Sequence, residues 1–286
     1  MDSNPIYNHV QGRYGGLADR SAACEQRKTE QAIAQSFGYD AGELSSIPAA
    51  ANLGVSCGNP LVLANLREGE SVIDLGSGGG IDVLLAAKKV GPNGKVIGVD
   101  MTKSMLELAW KNSAEAGATN VSFIEASITS IPLPDASANC IISNCVVNLV
   151  PTADKNVVFH EMFRLLKPGG RVAISDILTR KKLPEEVVTN LSFYVGCIAG
   201  ASQVHEYEEY LRSAGFKDIL IVDTHSDINV YKDLVQGQMN TGETSCESGA
   251  PSCCGGSQRQ PPPEADLLGH DFNEWAGSFK IYAVKR

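Results

Sequence analysis

The amino-acid sequence predicts an α/β protein built on a Rossmann-like, doubly wound, mostly parallel sheet. Two observations carry this. From about residue 70 short apolar runs alternate with helix-length segments. The first of those runs also passes into a glycine-rich turn, "DLGSGGG" (74–80), and the next run ends on an acidic residue, Asp100.

The elements follow in order. "SVIDLG" (71–76) is a short apolar run ending in glycine, and "IDVLLAAKKV" (81–90) has helical spacing and stops at Gly91-Pro92. Next come a strand at 95–100, a helix at 103–117, strands at 121–126 and 139–144, a helix at 155–166 and a strand at 171–177. Repeated βαβ units of this kind lay helices on both faces of a parallel sheet. Beyond them, "PEEVVTNLSFYVGCIAG" and "EYEEYLRSAG" read as helices, "FKDILIVD" (216–223) as a strand, and "SFKIYAVKR" (278–286) as a last strand. The Gly-, Ser- and Pro-rich stretch 237–263 reads as a mobile loop, and the first ~65 residues as helical or irregular with a breaker at Pro48. The expected division is an N-terminal segment (1–65), a core (66–180), an acceptor-binding region (181–236), an insert (237–277) and a final strand (278–286).

Composition narrows the partners. The 286 residues carry 24 Lys+Arg against 33 Asp+Glu, a net charge of -9, with no basic cluster suited to a row of phosphates, so nucleic acid is not expected. The opening "MDSNPIYNHVQGRYGG" has no apolar stretch of a targeting signal, and no apolar run approaches the ~18 residues of a membrane span. A cytoplasmic protein without a membrane partner is expected. Its 8 cysteines follow no regular spacing and include no Cys-x-x-Cys, so in a reducing compartment they read as free, ligating or catalytic rather than as a disulfide framework. The histidines at 9, 160, 205, 225 and 270 follow no ligand spacing.

The turn narrows the cofactor. Glycines let the backbone approach a ligand, and the helix that follows offers unpaired N–H groups. Gly76, Gly78 and Gly80 alternate, but Ile81 stands where a dinucleotide fingerprint would need its last glycine. Asp74 suits a cationic ligand better than a pyrophosphate, and Asp100 is placed to accept hydrogen bonds from ribose hydroxyls. Adenosine joined to a positive group describes S-adenosylmethionine. "ASITSIPLPD" (126–135) follows the third strand, where an adenine would lie, and "LLKPGGRVAISD" resembles the late helix, turn and strand of class I methyltransferases.

Position along the strands sorts the cysteines. Cys140 opens the run "NCIISN" and Cys145 lies just beyond its end, some ~16 Å away at about 3.3 Å per residue, so only Cys145 is expected to reach a ligand. Cys57 and Cys197 lie in segments able to fold over the same crevice, or equally in the core, since free cysteine packs as a small hydrophobe.

The stretches "SCGNP", "VIDLGSGGGID", "VIGVDMT", "SNCVVNLVP", "RLLKPGGRVAISDI" and "GCIAGA" closely resemble arsenite S-adenosylmethionine methyltransferases, over about Cys57 to Asp223. The resemblance implies the class I methyltransferase fold and the methylation of arsenite and methylarsenite. It implies a cofactor set of Asp74, Gly76, Ser77, Gly78, Asp100, Met101, Ser127, Ile128 and Asn144. It implies too that Cys57, Cys145 and Cys197 hold trivalent arsenic, that Cys24 is a redox thiol, and that Cys253 and Cys254 form a further arsenic-binding pair. Ser127 and Thr129 depart from it, standing where the family carries acidic side chains.

Soft, thiophilic arsenic selects thiolates over carboxylates or amides, and on sulfur ligands it keeps a lone pair that accepts a methyl group without a general base. Methylation oxidises the arsenic, so a thiol reductant such as glutathione or thioredoxin is expected as co-substrate. Alternative readings are a methyltransferase of a small organic metabolite, a metalloid-binding protein without catalysis, and a zinc site at Cys246, Cys253 and Cys254, which adjacent cysteines suit poorly.

Overall fold

The computed structural model describes residues 5–21, 27–183, 198, 200–230 and 271–286. Its strands are β1 (Ser71–Leu75), β2 (Lys95–Asp100), β3 (Val121–Glu125), β4 (Ala138–Asn144), β5 (Leu166–Thr179), β6 (Lys217–Asp223) and β7 (Ala276–Val284). They form one sheet in the order β3-β2-β1-β4-β5-β7-β6. The first five pair in parallel, and β7 is antiparallel to both β5 and β6.

The helices are α1 (Pro5–Ser21), α2 (Arg27–Ser36), α3 (Ala41–Ser45), α4 (Leu61–Ala64), α5 (Ile81–Val90), α6 (Lys103–Glu115), α7 (Thr152–Leu165) and α8 (Val204–Ala214). Burial explains the strand sequences: in β1 every residue but the first is buried, as a strand covered on both faces requires. Strand β6, at the sheet edge, alternates instead and leaves Leu220 and Val222 exposed. Helix α5 begins at Gly80 and ends at Gly91, with Lys88 and Lys89 in its last turn, where cations suit the negative end of the helix dipole. Helix α8 starts with reciprocal hydrogen bonds between Gln203 and Glu206 and stops at Gly215 in the left-handed region.

Two cores flank the sheet. One packs Val158, Phe159 and Met162 of α7 with Tyr207 and Leu211 of α8 against β4, β5 and β7. The other packs Val83, Leu84, Ala87 and Val90 of α5 with Ala34, Leu44 and Leu61 against Val72, Val96 and Ile142. A smaller third cluster lies at the carboxyl ends of the strands and contains Val10, Cys57, Cys145, Leu149, Ile177, Ile198 and Phe272.

The expected elements are present with some shifts. Helix α7 starts at Thr152 rather than 155, directly after Pro151, which cannot extend a helix backwards, and β5 extends on both sides of 171–177. Strands β6 (217–223) and β7 (276–284) complete the sheet of residues 71–179. The helix expected at 184–200 falls largely outside the described residues, as does the loop at 237–263.

Candidate active site

The chain runs from β1 to β2 and β3 on one side, then crosses to β4 on the other, which opens a crevice outside the carboxyl ends of β1 and β4. A cavity open to solvent lies there. Gly76 and Gly78 from the first turn, Asp100 and Met101 from the end of β2, Ser127 and Ile128 after β3, and Asn144 and Cys145 at the end of β4 all line it.

Tyr7, Val10 and Tyr14 of α1 line the opposite wall. Spaced three and four residues apart, they form one face of the helix. Gln11 donates to the Met101 carbonyl at 2.9 Å and the Tyr7 hydroxyl to Asp154 at 3.1 Å, which fastens α1 across the cavity. No motif in residues 1–65 marks a place in the cofactor pocket, and the 7-10-14 spacing of Tyr7, Val10 and Tyr14 is the one signal there that could have found it.

The floor is acidic and its carboxyls are oriented. Asp100 accepts from the Gly78 N–H at 3.0 Å and the Thr102 N–H at 2.8 Å. Asp74 and Ser77 are buried and do not line the cavity. Strand pairing with Gly98 and Ile142 keeps Asp74 inside the sheet, and only from Gly76 onward does the chain emerge into the crevice. Behind the floor Asp82 accepts from the Tyr39 hydroxyl at 2.8 and 3.0 Å and from Asn144 at 3.2 Å.

Burial pushes the carboxyls of Asp74 and Asp100 upward, and for Asp74 the neighbouring Asp82 and Asp100 add to the effect. Burial also lifts Asp82 to about 6, against the hydrogen bonds from Tyr39 and Asn144. These groups share excess negative potential, which a cation in the cavity would relieve. Open space at the Cβ position of Gly78, oriented carboxylate lone pairs on Asp100, and apolar walls at Met101 and Ile128 suit an adenosine bearing a positive group.

A pH dependence of stability follows. Asp82, at about 6, and the buried Asp176 of β5, lifted by burial to about 7 against the attraction of Lys155, both lie above the ordinary carboxylate value of 3.8. Between that value and their native ones the folded chain holds protons that the unfolded chain has released. Stability should therefore fall as pH rises from about 4 to about 7, by ~1.4 kcal/mol per pH unit for each such proton, with the Asp82 contribution levelling off near 6. Urea unfolding of the cofactor-free protein across this range checks it, and a flat profile would contradict the assigned burial effect.

The sulfur atoms sit beside this floor. Cys145 leaves β4 with φ of 59°, a left-handed conformation that costs a non-glycine residue about 1–2 kcal/mol. That turn is held by the Cys145 N–H donating to the Ser175 carbonyl at 2.8 Å. Asn144 reaches the chain around Cys57: its Oδ1 accepts from the Cys57 N–H at 3.1 Å, and its Nδ2 donates to the Gly58 carbonyl at 2.8 Å. From the other side, the Ser278 hydroxyl of β7 donates to the Cys57 carbonyl at 2.5 Å.

Cys57 and Cys145 are joined in a disulfide, with Cα atoms 5.6 Å apart. Asn144 and Ser278 hold the two backbones at that separation, so the two cysteines expected at the site lie side by side at its edge. Cys140, buried on β4 and absent from the cavity wall, is a free thiol that burial pushes up to about 12. Cys24, Cys197, Cys246, Cys253 and Cys254 lie outside the described residues. Ile198, which follows Cys197 in sequence, packs in the same cluster as Cys57 and Cys145. Among the described residues no three His, Cys, Asp or Glu side chains group as a metal site. Tyr39, Asp82 and Ser278 carry no sequence signal of their own.

A parallel sheet with an antiparallel β7 inserted beside β5, and a crevice floored by a glycine turn and an acidic strand end, define a class I methyltransferase architecture. The chain belongs to the methyltransferase-domain family, whose family model matches residues 66–215. It is similar to an arsenite methyltransferase from Halobacterium salinarum, 46% identical over 238 residues that cover 78% of this chain and 60% of that one. The human arsenite methyltransferase is 37% identical over 169 residues, covering 56% and 44%. The chain thus spans only about half the length of these curated relatives. Among solved structures, an arsenic(III) S-adenosylmethionine methyltransferase from Chlamydomonas reinhardtii superposes with a TM-score of 0.54 at 26% identity, covering 90% of this chain and 73% of that one.

Proposed function

We propose that this chain methylates trivalent arsenic with S-adenosylmethionine as methyl donor. The observation that carries the reading is the sulfur pair, Cys57 and Cys145, beside a cavity that Cys145 lines and Asp100 floors. When bound, S-adenosylmethionine supplies an electrophilic methyl group on a cationic sulfur. Asp100 would hold the ribose hydroxyls, Met101 and Ile128 the adenine faces, and the Gly76–Gly78 backbone the amino-acid end, while Asp74 and Asp82 act from behind as negative charge. Helix α1 covers the cavity and limits water at the reacting centre.

The acceptors are arsenite and then methylarsenite, held by thiolates of Cys57, Cys145 and Cys197, whose neighbour Ile198 shares their cluster. A soft centre on sulfur brings its own lone pair, so no side chain has to remove a proton. The Cys57–Cys145 disulfide must first accept two electrons and two protons from an outside dithiol or from two monothiols, which leave as a disulfide. Glutathione or thioredoxin supplies that chemistry, with Cys24, Cys253 and Cys254 as further exchanging or arsenic-capturing thiols. A reducing, cytoplasmic setting is consistent with this requirement, and among the described residues no helix is long and apolar enough to cross a membrane.

The test is to incubate protein, arsenite, S-adenosylmethionine and a thiol reductant, then separate and count the arsenic species. Methylated arsenic should appear only with all components, and its absence from the complete mixture would overturn the reading. Asp100→Ala should weaken S-adenosylmethionine binding by ~1.5–3 kcal/mol, roughly tenfold to a hundredfold, through lost hydrogen bonds to a charged acceptor. Calorimetry showing wild-type affinity would remove Asp100 from the site.

A further inference from the structure

Tyr39 has no part in the proposed chemistry, yet it is buried with its hydroxyl against the one side chain that touches both the cavity and the Cys57 backbone, Asn144. The end of α2 delivers it. The chain turns at Gly38, φ 91°, and the Tyr39 N–H donates to the Ala34 carbonyl at 3.1 Å. The Tyr39 hydroxyl then lies 2.8 and 3.0 Å from the two oxygens of Asp82, in the first turn of α5, and donates its hydrogen there.

That donation fixes which way the Asn144 carboxamide faces. With its hydrogen committed to Asp82, the Tyr39 oxygen can only accept, as can the Gly58 carbonyl and the Asp82 carboxylate. Asn144 Nδ2 faces all three, at 2.8, 2.8 and 3.2 Å. Turned over, the carboxamide would set its oxygen against three acceptors. Oδ1 is therefore kept for the Cys57 N–H, at 3.1 Å.

The segment so held lies against β5. A Cβ at Gly58 would come 2.7 Å from the Cβ of Ser175, so only glycine permits this approach. The Ser175 carbonyl also takes the Cys145 N–H at 2.8 Å, which gives both cysteines one support. Asn59 donates to the Gly38 carbonyl at 3.1 Å and ties the segment back to the turn that presents Tyr39.

Resting on the arsenic reading above, we propose that Tyr39 and Asp82 are positioning residues: by holding the Asn144 carboxamide in one orientation they set Cys57 against Cys145. The thiol that does not take the arsenic first is then already within reach, and closure of the second sulfur bond becomes an intramolecular step.

The test reads the effective concentration of one thiol towards the other, without arsenic. The whole protein is equilibrated with reduced and oxidised glutathione and quenched with acid, and the peptide joining Cys57 to Cys145 is quantified by mass spectrometry. Reduction of the pair takes two electrons and two protons from two glutathiones, which leave as glutathione disulfide. Tyr39→Phe keeps the ring and removes the hydroxyl, and should lower the effective concentration roughly five- to tenfold, about 20–30 mV for a two-electron couple. Asp82→Leu should lower it at least as far. Asp82→Asn keeps an oxygen for the Tyr39 hydroxyl and should recover most of the loss.

Should a single variant fail to fold, Tyr39→Phe/Asp82→Asn leaves no buried carboxylate short of a donor and should fold with the Tyr39→Phe shift. Ser143→Ala, which removes a buried hydroxyl that donates to the Leu75 carbonyl, is the control for general loosening and should leave the pair unchanged. With arsenite, Tyr39→Phe should raise KM more than it lowers kcat. A wild-type equilibrium in folded Tyr39→Phe, an equal shift in Ser143→Ala, or a loss confined to kcat overturns the proposal. If the shifts appear as stated but the wild-type protein methylates no arsenic, the function fails and the positioning stands. Methylation by a protein whose Tyr39→Phe equilibrium is unmoved removes the positioning and keeps the function.

Discussion

Replacing Cys145 by serine should abolish methylation of both arsenite and methylarsenite, lowering kcat/KM by about a thousandfold or more. A serine hydroxyl at the same place is a hard donor and stays protonated at neutral pH, so it cannot hold a soft centre against water. Because Cys145 lines the cavity at the end of β4, its loss removes the sulfur nearest the cofactor floor. Cys140→Ser is the matched control: that thiol is buried five residues earlier on the same strand and is kept neutral by burial, so its replacement should cost ~1–3 kcal/mol of stability and little activity.

Cys57→Ser separates the two acceptors. Methylarsenite already bears one carbon and can use only two thiolates, so losing Cys57 should cost it less than arsenite, which has three positions to fill. The ratio of kcat/KM for the two substrates in each variant is the measurement. Full activity in Cys145→Ser would reject the thiol mechanism outright, and equal losses in Cys57→Ser would reject the difference in ligand count.

The second large effect belongs to Gly76. Its φ is 70°, and a Cβ there would lie 2.3 and 2.6 Å from the two Cγ atoms of Val146. Val146 follows Cys145 directly, so Gly76→Ala would push the sulfur-bearing turn away from the floor of the cavity. Left-handed strain of about 1–2 kcal/mol and overpacking of about 1–3 kcal/mol add to a loss of ~2–5 kcal/mol. A fall in Tm of roughly 5–15 °C should accompany the loss of S-adenosylmethionine binding.

Gly78→Ala makes the contrast. Its φ of 50° also disfavours a side chain, but no atom lies within 4 Å of the added Cβ, so only about 1–2 kcal/mol of conformational cost is expected. Thermal melts with calorimetric titration of both variants decide the matter. Wild-type cofactor affinity in Gly76→Ala would show that the contact with Val146 does not transmit to the site.

The parts of this molecule that sequence makes legible are those with local signatures. Strands β1 to β5 are apolar runs punctuated by helices of regular spacing, and their βαβ order leaves few ways to build the sheet. Strand β7 alternates as a strand should, but alternation says nothing about partners. Its insertion between β5 and β6 pairs it with β5 residues about a hundred positions away and with β6 residues about sixty positions away. In the site, Gly76, Gly78, Asp100 and Cys145 announce themselves through their place at strand ends.

Tyr39 acts on Asp82 across 43 positions and Ser278 on Cys57 across 221, and nothing within either short stretch records the contact. Asp74 marks the limit of motif reasoning. Its place in the glycine motif is plain, but its burial inside β1, behind the cavity wall, depends on where that strand ends.

The hydrogen bond from Ser278 to the Cys57 carbonyl has a consequence for how the protein is made. At about 5–20 residues per second, a ribosome needs roughly 10–40 s to add the 221 residues between those two positions. Throughout that interval the backbone of Cys57 lacks one of its two holders, and once β5 and β6 are made they still lack the strand that joins them. The thiols of residues 57 and 145 therefore emerge on a growing chain well before the sheet that orients them is complete. Arsenite meeting that chain would bridge whichever sulfurs it encountered first, so biosynthesis is the stage at which the protein is most exposed to poisoning by the compound it is proposed to detoxify.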